Sequence, residues 1–91
     1  MFHVLTLTYT EPADVVDQVR PAHLEWLATE IADGRLILTG RMESGEGGIL
    51  VTSDISTEEA LGVIAKDPYH RSGVVRYERV GFTAGARAPG L

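Results

Sequence analysis

Arg35-Leu36-Ile37-Leu38-Thr39-Gly40-Arg41-Met42 and Gly48-Ile49-Leu50-Val51-Thr52-Ser53-Asp54-Ile55 are apolar runs joined by Glu43-Ser44-Gly45-Glu46-Gly47. Short runs of such residues on either side of a glycine-containing loop read as two strands of a hairpin. The hairpin sits at the middle of the chain, and each arm leads outward into one helical and one further extended segment. Upstream, Phe2 to Tyr9 is rich in β-branched and aromatic residues and reads as a strand. Between it and the hairpin, Pro12 suits the first turn of a helix. Val15, Val16, Val19, Ala22, Leu24, Leu27 and Ile31 then recur at helical spacing. Gly34 supplies the left-handed cap that ends such a helix. Pro21 lies inside it, cannot donate to the Asp17 carbonyl, and predicts a bend or short break.

Downstream, Ser56-Thr57-Glu58-Glu59 is a capping box for a second helix through Leu61 and Ile64. That helix should stop before Pro68, because a residue preceding proline avoids the helical region. Val74 to Phe82 reads as the last strand. Residues 1–83 make one domain, and 84–91, with Gly85, Pro89 and Gly90, a flexible tail.

The order β-α-β-β-α-β defines an α+β, ferredoxin-like fold: a four-stranded antiparallel sheet with both helices on one face. The other face should then be polar, yet the strands are apolar on both sides. Phe2 and Val4 oppose Leu5, Leu7 and Tyr9; Leu36 and Leu38 oppose Ile37; Ile49 and Val51 oppose Leu50. A second copy of the chain is the simplest cover for such a face, so a homodimer of dimeric α/β-barrel type is expected.

Composition narrows the function classes. The formal charge is −5, Lys66 is the only lysine and the arginines are scattered, so no nucleic-acid partner is expected. The absence of cysteine excludes disulfides, thiolate zinc sites and cysteine nucleophiles. The first residues lack the pattern of a secretory signal and no apolar run is long enough for a membrane span, so a cytoplasmic location is expected. His3, His23 and His70 lack metal-ligand spacing, and Gly45, Gly47 and Gly48 do not form a phosphate loop. The aromatic strand of an RNA-recognition module is missing from Ile49-Leu50-Val51-Thr52, and no haem or flavin signature is present. Neither a metal nor a cofactor is expected.

Two residues carry candidate chemistry. His23 stands one and two turns before Leu27 and Ile31, on the buried stripe, where a satisfied core histidine and a functional one look alike. Asp67, in Lys66-Asp67-Pro68-Tyr69, stands at the expected C-terminal end of the second helix, where a carboxylate meets the negative end of the dipole. A simple Asp-Pro turn is the competing explanation. The topology makes the two helices neighbours, so His23 and Asp67 are placed to meet. A carboxylate accepting the Nδ1 proton would leave Nε2 free as a general base toward a small-molecule substrate. Arg20 suits a carboxylate or enolate oxygen and equally a solvated surface. Tyr69 suits a hydrogen bond to a ligand or a packing anchor, and Gly40 suits room for a ligand or a bulge. Trp26 lies off the deepest stripe and reads as partly buried.

Arg20-Pro21-Ala22-His23-Leu24, then Gly34-Arg35-Leu36 with Gly40, then Asp67-Pro68-Tyr69 with Gly73-Val74, closely resemble the YciI-like (YCII-related) family over nearly the whole chain. The resemblance implies a ferredoxin-like dimer and an active site centred on a histidine and an aspartate, matched here by His23 and Asp67. A similar class of protein removes HCl from chlorinated hydroxyquinols, and related barrels include muconolactone isomerases. Proton transfer on a small oxygenated molecule, by a cofactor-free lyase or isomerase, is therefore implied. Arg41 departs from the pattern, since relatives often carry proline after the glycine, and the hairpin loop is shorter than in some relatives. The alternative is a non-catalytic dimeric module that binds a small ligand or a protein.

Overall fold

The computed structural model describes all 91 residues. Its elements run β1 (Phe2–Tyr9), α1 (Ala13–Ala32), β2 (Leu36–Arg41), β3 (Gly47–Thr52), α2 (Thr57–Lys66), α3 (Pro68–Arg71) and β4 (Val75–Phe82). The strands form one antiparallel sheet in the order β2-β3-β1-β4, the ferredoxin-like arrangement. The addition to the expected order is α3. Pro68 stops α2, but its fixed φ suits the first turn of a new helix, and Asp67 caps that turn by accepting from the Tyr69 N–H at 2.9 Å.

Both ends of the main helices follow from local chemistry. At the end of α1, the Arg35 N–H bonds to the Glu30 carbonyl and the Gly34 N–H to the Ile31 carbonyl, with Gly34 at φ +75°. This is the double closure that needs a left-handed residue, and glycine adopts it without strain. The Ser56 hydroxyl accepts from the Glu59 N–H while the Glu59 carboxylate reaches back to the Ser56 N–H. Pro21 does not break α1, which is helical from Ala13 to Ala32. Asp17 and Pro21 both lie on the exposed side, where water can reach the carbonyl that the proline leaves unpartnered.

The core lies between the helices and one face of the sheet. Leu5 and Leu7 of β1 and Leu50 of β3 meet Val16 and Trp26 of α1 and Val63 and Ile64 of α2. The inward stripe of α1 is Val16, His23, Trp26 and Glu30, whereas Leu24 and Ile31 are exposed, so the apolar spacing misplaced its centre. Trp26 is buried in the core, contrary to expectation. Two polar residues hold places in that stripe because each has a partner. Glu30 accepts from Arg35 at 2.5 Å, tying the end of α1 to the start of β2, and His23 meets Asp67. His3 is likewise buried, with Nε2 donating to the Ile55 carbonyl at 3.0 Å and Nδ1 accepting from Arg79 at 3.2 Å.

The strands alternate as expected except in β2. Leu36 pairs with Thr52 and Leu38 with Val51, so Ile37 is an extra residue and the register shifts. Leu36 therefore faces the core and Leu38 faces outward at 65% exposure, rather than both sharing one side. The outer sheet face carries Leu38, Ile49, Val80 and Phe82, all exposed, with Phe2 stacked on Phe82 at 6.0 Å. It is an apolar surface of the monomer.

Candidate active site

Asp67 is completely buried, and a buried carboxylate is tolerated only with donors around it. It has three. Oδ1 accepts from the Tyr69 N–H at 2.9 Å and stands 2.7 Å from His23 Nδ1, while Oδ2 accepts from the Tyr77 hydroxyl at 2.5 Å. The capping bond is the reason an aspartate stands after Lys66. Asp67 ends α2, as the sequence reading placed it, and at the same time caps the start of α3, so the capping bond offsets the dipole cost.

With the carboxylate as acceptor, the neutral imidazole of His23 is the tautomer that carries its proton on Nδ1 and leaves Nε2 as the acceptor nitrogen. His23 makes no other hydrogen bond, and it lines a cavity of about 180 Å³ between α1 and the sheet. The imidazole is clamped flat against the Tyr69 ring, with centroids 3.8 Å apart and planes 14° apart, and the Trp26 ring lies tilted beside it at 5.5 Å. Ring orientation is thus fixed from three sides: a carboxylate, a stacked phenol and an indole.

The same cavity is lined by Arg20, Tyr69, Gly40, Leu24, Leu27 and Arg41. Tyr69 lines the cavity, and its hydroxyl is buried without a protein partner. Burial raises its phenol above the ordinary range against the opposing pull of Arg20, so it is neutral at physiological pH. Arg20 gives its Nε–H to Asp17 at 3.2 Å and keeps its two terminal amino groups unpaired. Gly40 contributes backbone: a Cβ built there meets nothing within 4 Å, and its register partner is Ile49 of the outer face.

Tyr77 was not singled out by the sequence. The alternation of β4 held the clue, because Tyr77 pairs with Leu7 and so faces the helices with Val75. Burial first, then the Asp67 carboxylate and the hydrogen bond to it, push the Tyr77 phenol far above its usual value. In the unfolded chain that phenol ionises near pH 10. Above about pH 10 the unfolded state therefore binds fewer protons than the folded state, and stability falls as pH rises. Thermal melts from about pH 8 to pH 11 should show this decline, and Tyr77→Phe should make it shallower while lowering stability at neutral pH. An unchanged alkaline slope in the variant would refute the linkage.

No cluster of three or more His, Cys, Asp or Glu side chains comes together to hold a metal ion. No helix is long and apolar enough to cross a membrane.

With this geometry in view, the chain belongs to the YCII-related domain family, whose model matches residues 1–81. Among particular proteins, it is 75% identical to a "12 kDa protein" of Mycolicibacterium smegmatis over 24 residues, which is 26% of this chain and the whole of that sequence. The fold is shared with the 5-chloro-2-hydroxyhydroquinone dehydrochlorinase of Burkholderia phenoliruptrix, solved in complex with 2,5-dihydroxybenzoquinone. The two superpose with a TM-score of 0.73 at 18% identity, covering 93% of this chain and 96% of the other.

Proposed function

We propose that the protein is a small-molecule enzyme of lyase or isomerase type that moves a proton with His23. The observation that carries this reading is an imidazole whose Nδ1 is held by a buried carboxylate while Nε2 has no protein partner beside a cavity. Nε2 removes a proton from a carbon next to a carbonyl, or from a hydroxyl conjugated with one, and the electron pair moves onto the carbonyl oxygen. Asp67 opposes the imidazolium that forms. Arg20, which lines the cavity with its terminal amino groups unengaged, is the donor for the enolate oxygen. The imidazolium then returns the proton to another carbon, an isomerisation. In an elimination, a leaving group departs with its bonding pair and the proton passes to solvent. The dehydrochlorinase that shares the fold supports elimination from a cyclic, oxygenated substrate.

The protein is further proposed to work as a homodimer, joined through the outer sheet face that carries Leu38, Ile49, Val80 and Phe82. A panel of enolisable and halogenated phenols and acids in deuterated water tests the chemistry, with deuterium uptake and chloride release as readouts. His23→Ala should lose about 10²–10⁴-fold of any turnover found. Equal turnover by the variant, or none by the wild type across the panel, would leave the non-catalytic binding module as the better reading.

A further inference from the structure

A second cavity, about 220 Å³, adjoins the first and shares Tyr9, Arg20 and Arg41 with it. Volume makes this neighbour relevant. A dry cavity of about 150 Å³ holds a benzene ring, so the roughly 180 Å³ beside His23 accommodates one substituted ring and little more. A group attached to that ring has the second cavity beside it, across the shared boundary. The residues there are chemically specific. Arg41 pairs with Gly48 in the register, which turns it to the helix side of the sheet, and it forms no ion pair. Arg20 has its Nε–H on Asp17 and both terminal amino groups unengaged. The Tyr9 hydroxyl also lacks a protein partner, and its ring meets Tyr69 edge-on at 6.0 Å. Glu11 and Asp17 line only the second cavity, Asp17 already being neutralised by Arg20.

Resting on the proton-transfer reading above, we propose that the substrate carries a side-chain carboxylate on its ring, and that Arg41 selects it at the boundary of the two cavities. A planar carboxylate matches the guanidinium fork of Arg41, which holds the ring's position against His23 while Arg20 serves the enolate oxygen. Arg41 is thus a specificity residue, outside the proton-transfer step itself.

The probes are resorcinol and 3,5-dihydroxyphenylacetate, which differ by one carboxymethyl group, titrated into the intact protein while the His23 ring resonances are followed by NMR. The carboxylated probe should bind about tenfold tighter or more, as one charge-assisted pair provides. Arg41→Gln should remove that advantage and leave resorcinol binding within about twofold. Arg41→Lys should retain part of the advantage, and Arg76→Gln, which removes a charge from the outer face, should retain all of it. Equal affinity for the two probes in the wild type, or an undiminished preference in Arg41→Gln, overturns the proposal while His23 still reports a ring-binding site. If neither probe moves the His23 resonances, the proton-transfer reading falls as well.

Discussion

Asp67→Ala is expected to destabilise the fold by about 3–5 kcal/mol, because it strands several donors at one point. The His23 Nδ1–H and the Tyr69 N–H are buried there, and the Tyr77 hydroxyl is partly buried. Against a total stability of about 5–15 kcal/mol for a small domain, this is a large share, and urea unfolding will register it. Asp67→Asn separates structure from chemistry. Its amide oxygen can still accept from His23 and Tyr69, and its amino group can turn Tyr77 from donor to acceptor, so the chain should stay folded. It cannot supply the negative charge opposite an imidazolium. Turnover of whatever substrate the panel yields should fall by about 10²–10⁴-fold with little change in binding. A fully active Asp67→Asn would show that the carboxylate serves only the architecture.

The second large effect concerns assembly. Leu38→Asp combined with Val80→Asp places two charges on the exposed apolar sheet face, at positions 65% and 64% accessible in the monomer. Sedimentation should give a dimer for the wild type at micromolar concentration and a folded monomer for the double variant. Both side chains already stand in solvent in the single chain, so the monomer core loses nothing. A wild type that sediments as a monomer would remove the reason for a paired face, and a double variant that remains dimeric would move the contact elsewhere.

The element order could be read because each boundary has a local chemical cause. Gly34, the Ser56–Glu59 box and Pro68 act within a few residues of themselves, so their effects survive without tertiary information. The face of α1 was harder to read. Apolar spacing favoured Leu24 and Ile31, which are exposed, and passed over Glu30, an inward position that its ion pair with Arg35 makes tolerable, whereas His23 was read on the buried side and is held there by Asp67, remote in sequence. His23 and Asp67 stood out as residues, and the topology made them neighbours. Their 2.7 Å approach, the stacked Tyr69 and the Tyr77 hydroxyl depend on α3, a turn that the sequence pattern presented merely as an ending.

Ile37, the unmatched residue of β2, has a reach well beyond its own position. After it, odd-numbered side chains point where even-numbered ones otherwise would, which gives Thr39 and Arg41 to the cavity and Leu38 to the exterior. Straightening the bulge with every residue kept, so that Ile37 pairs with Val51, would invert the remainder of the strand and send the arginine out and the leucine in, whereas deleting Ile37 would leave each later side chain on its present face. The proposed ligand preference and the proposed self-association therefore share a single reading frame, and loss of the bulge without loss of a residue would alter both at once.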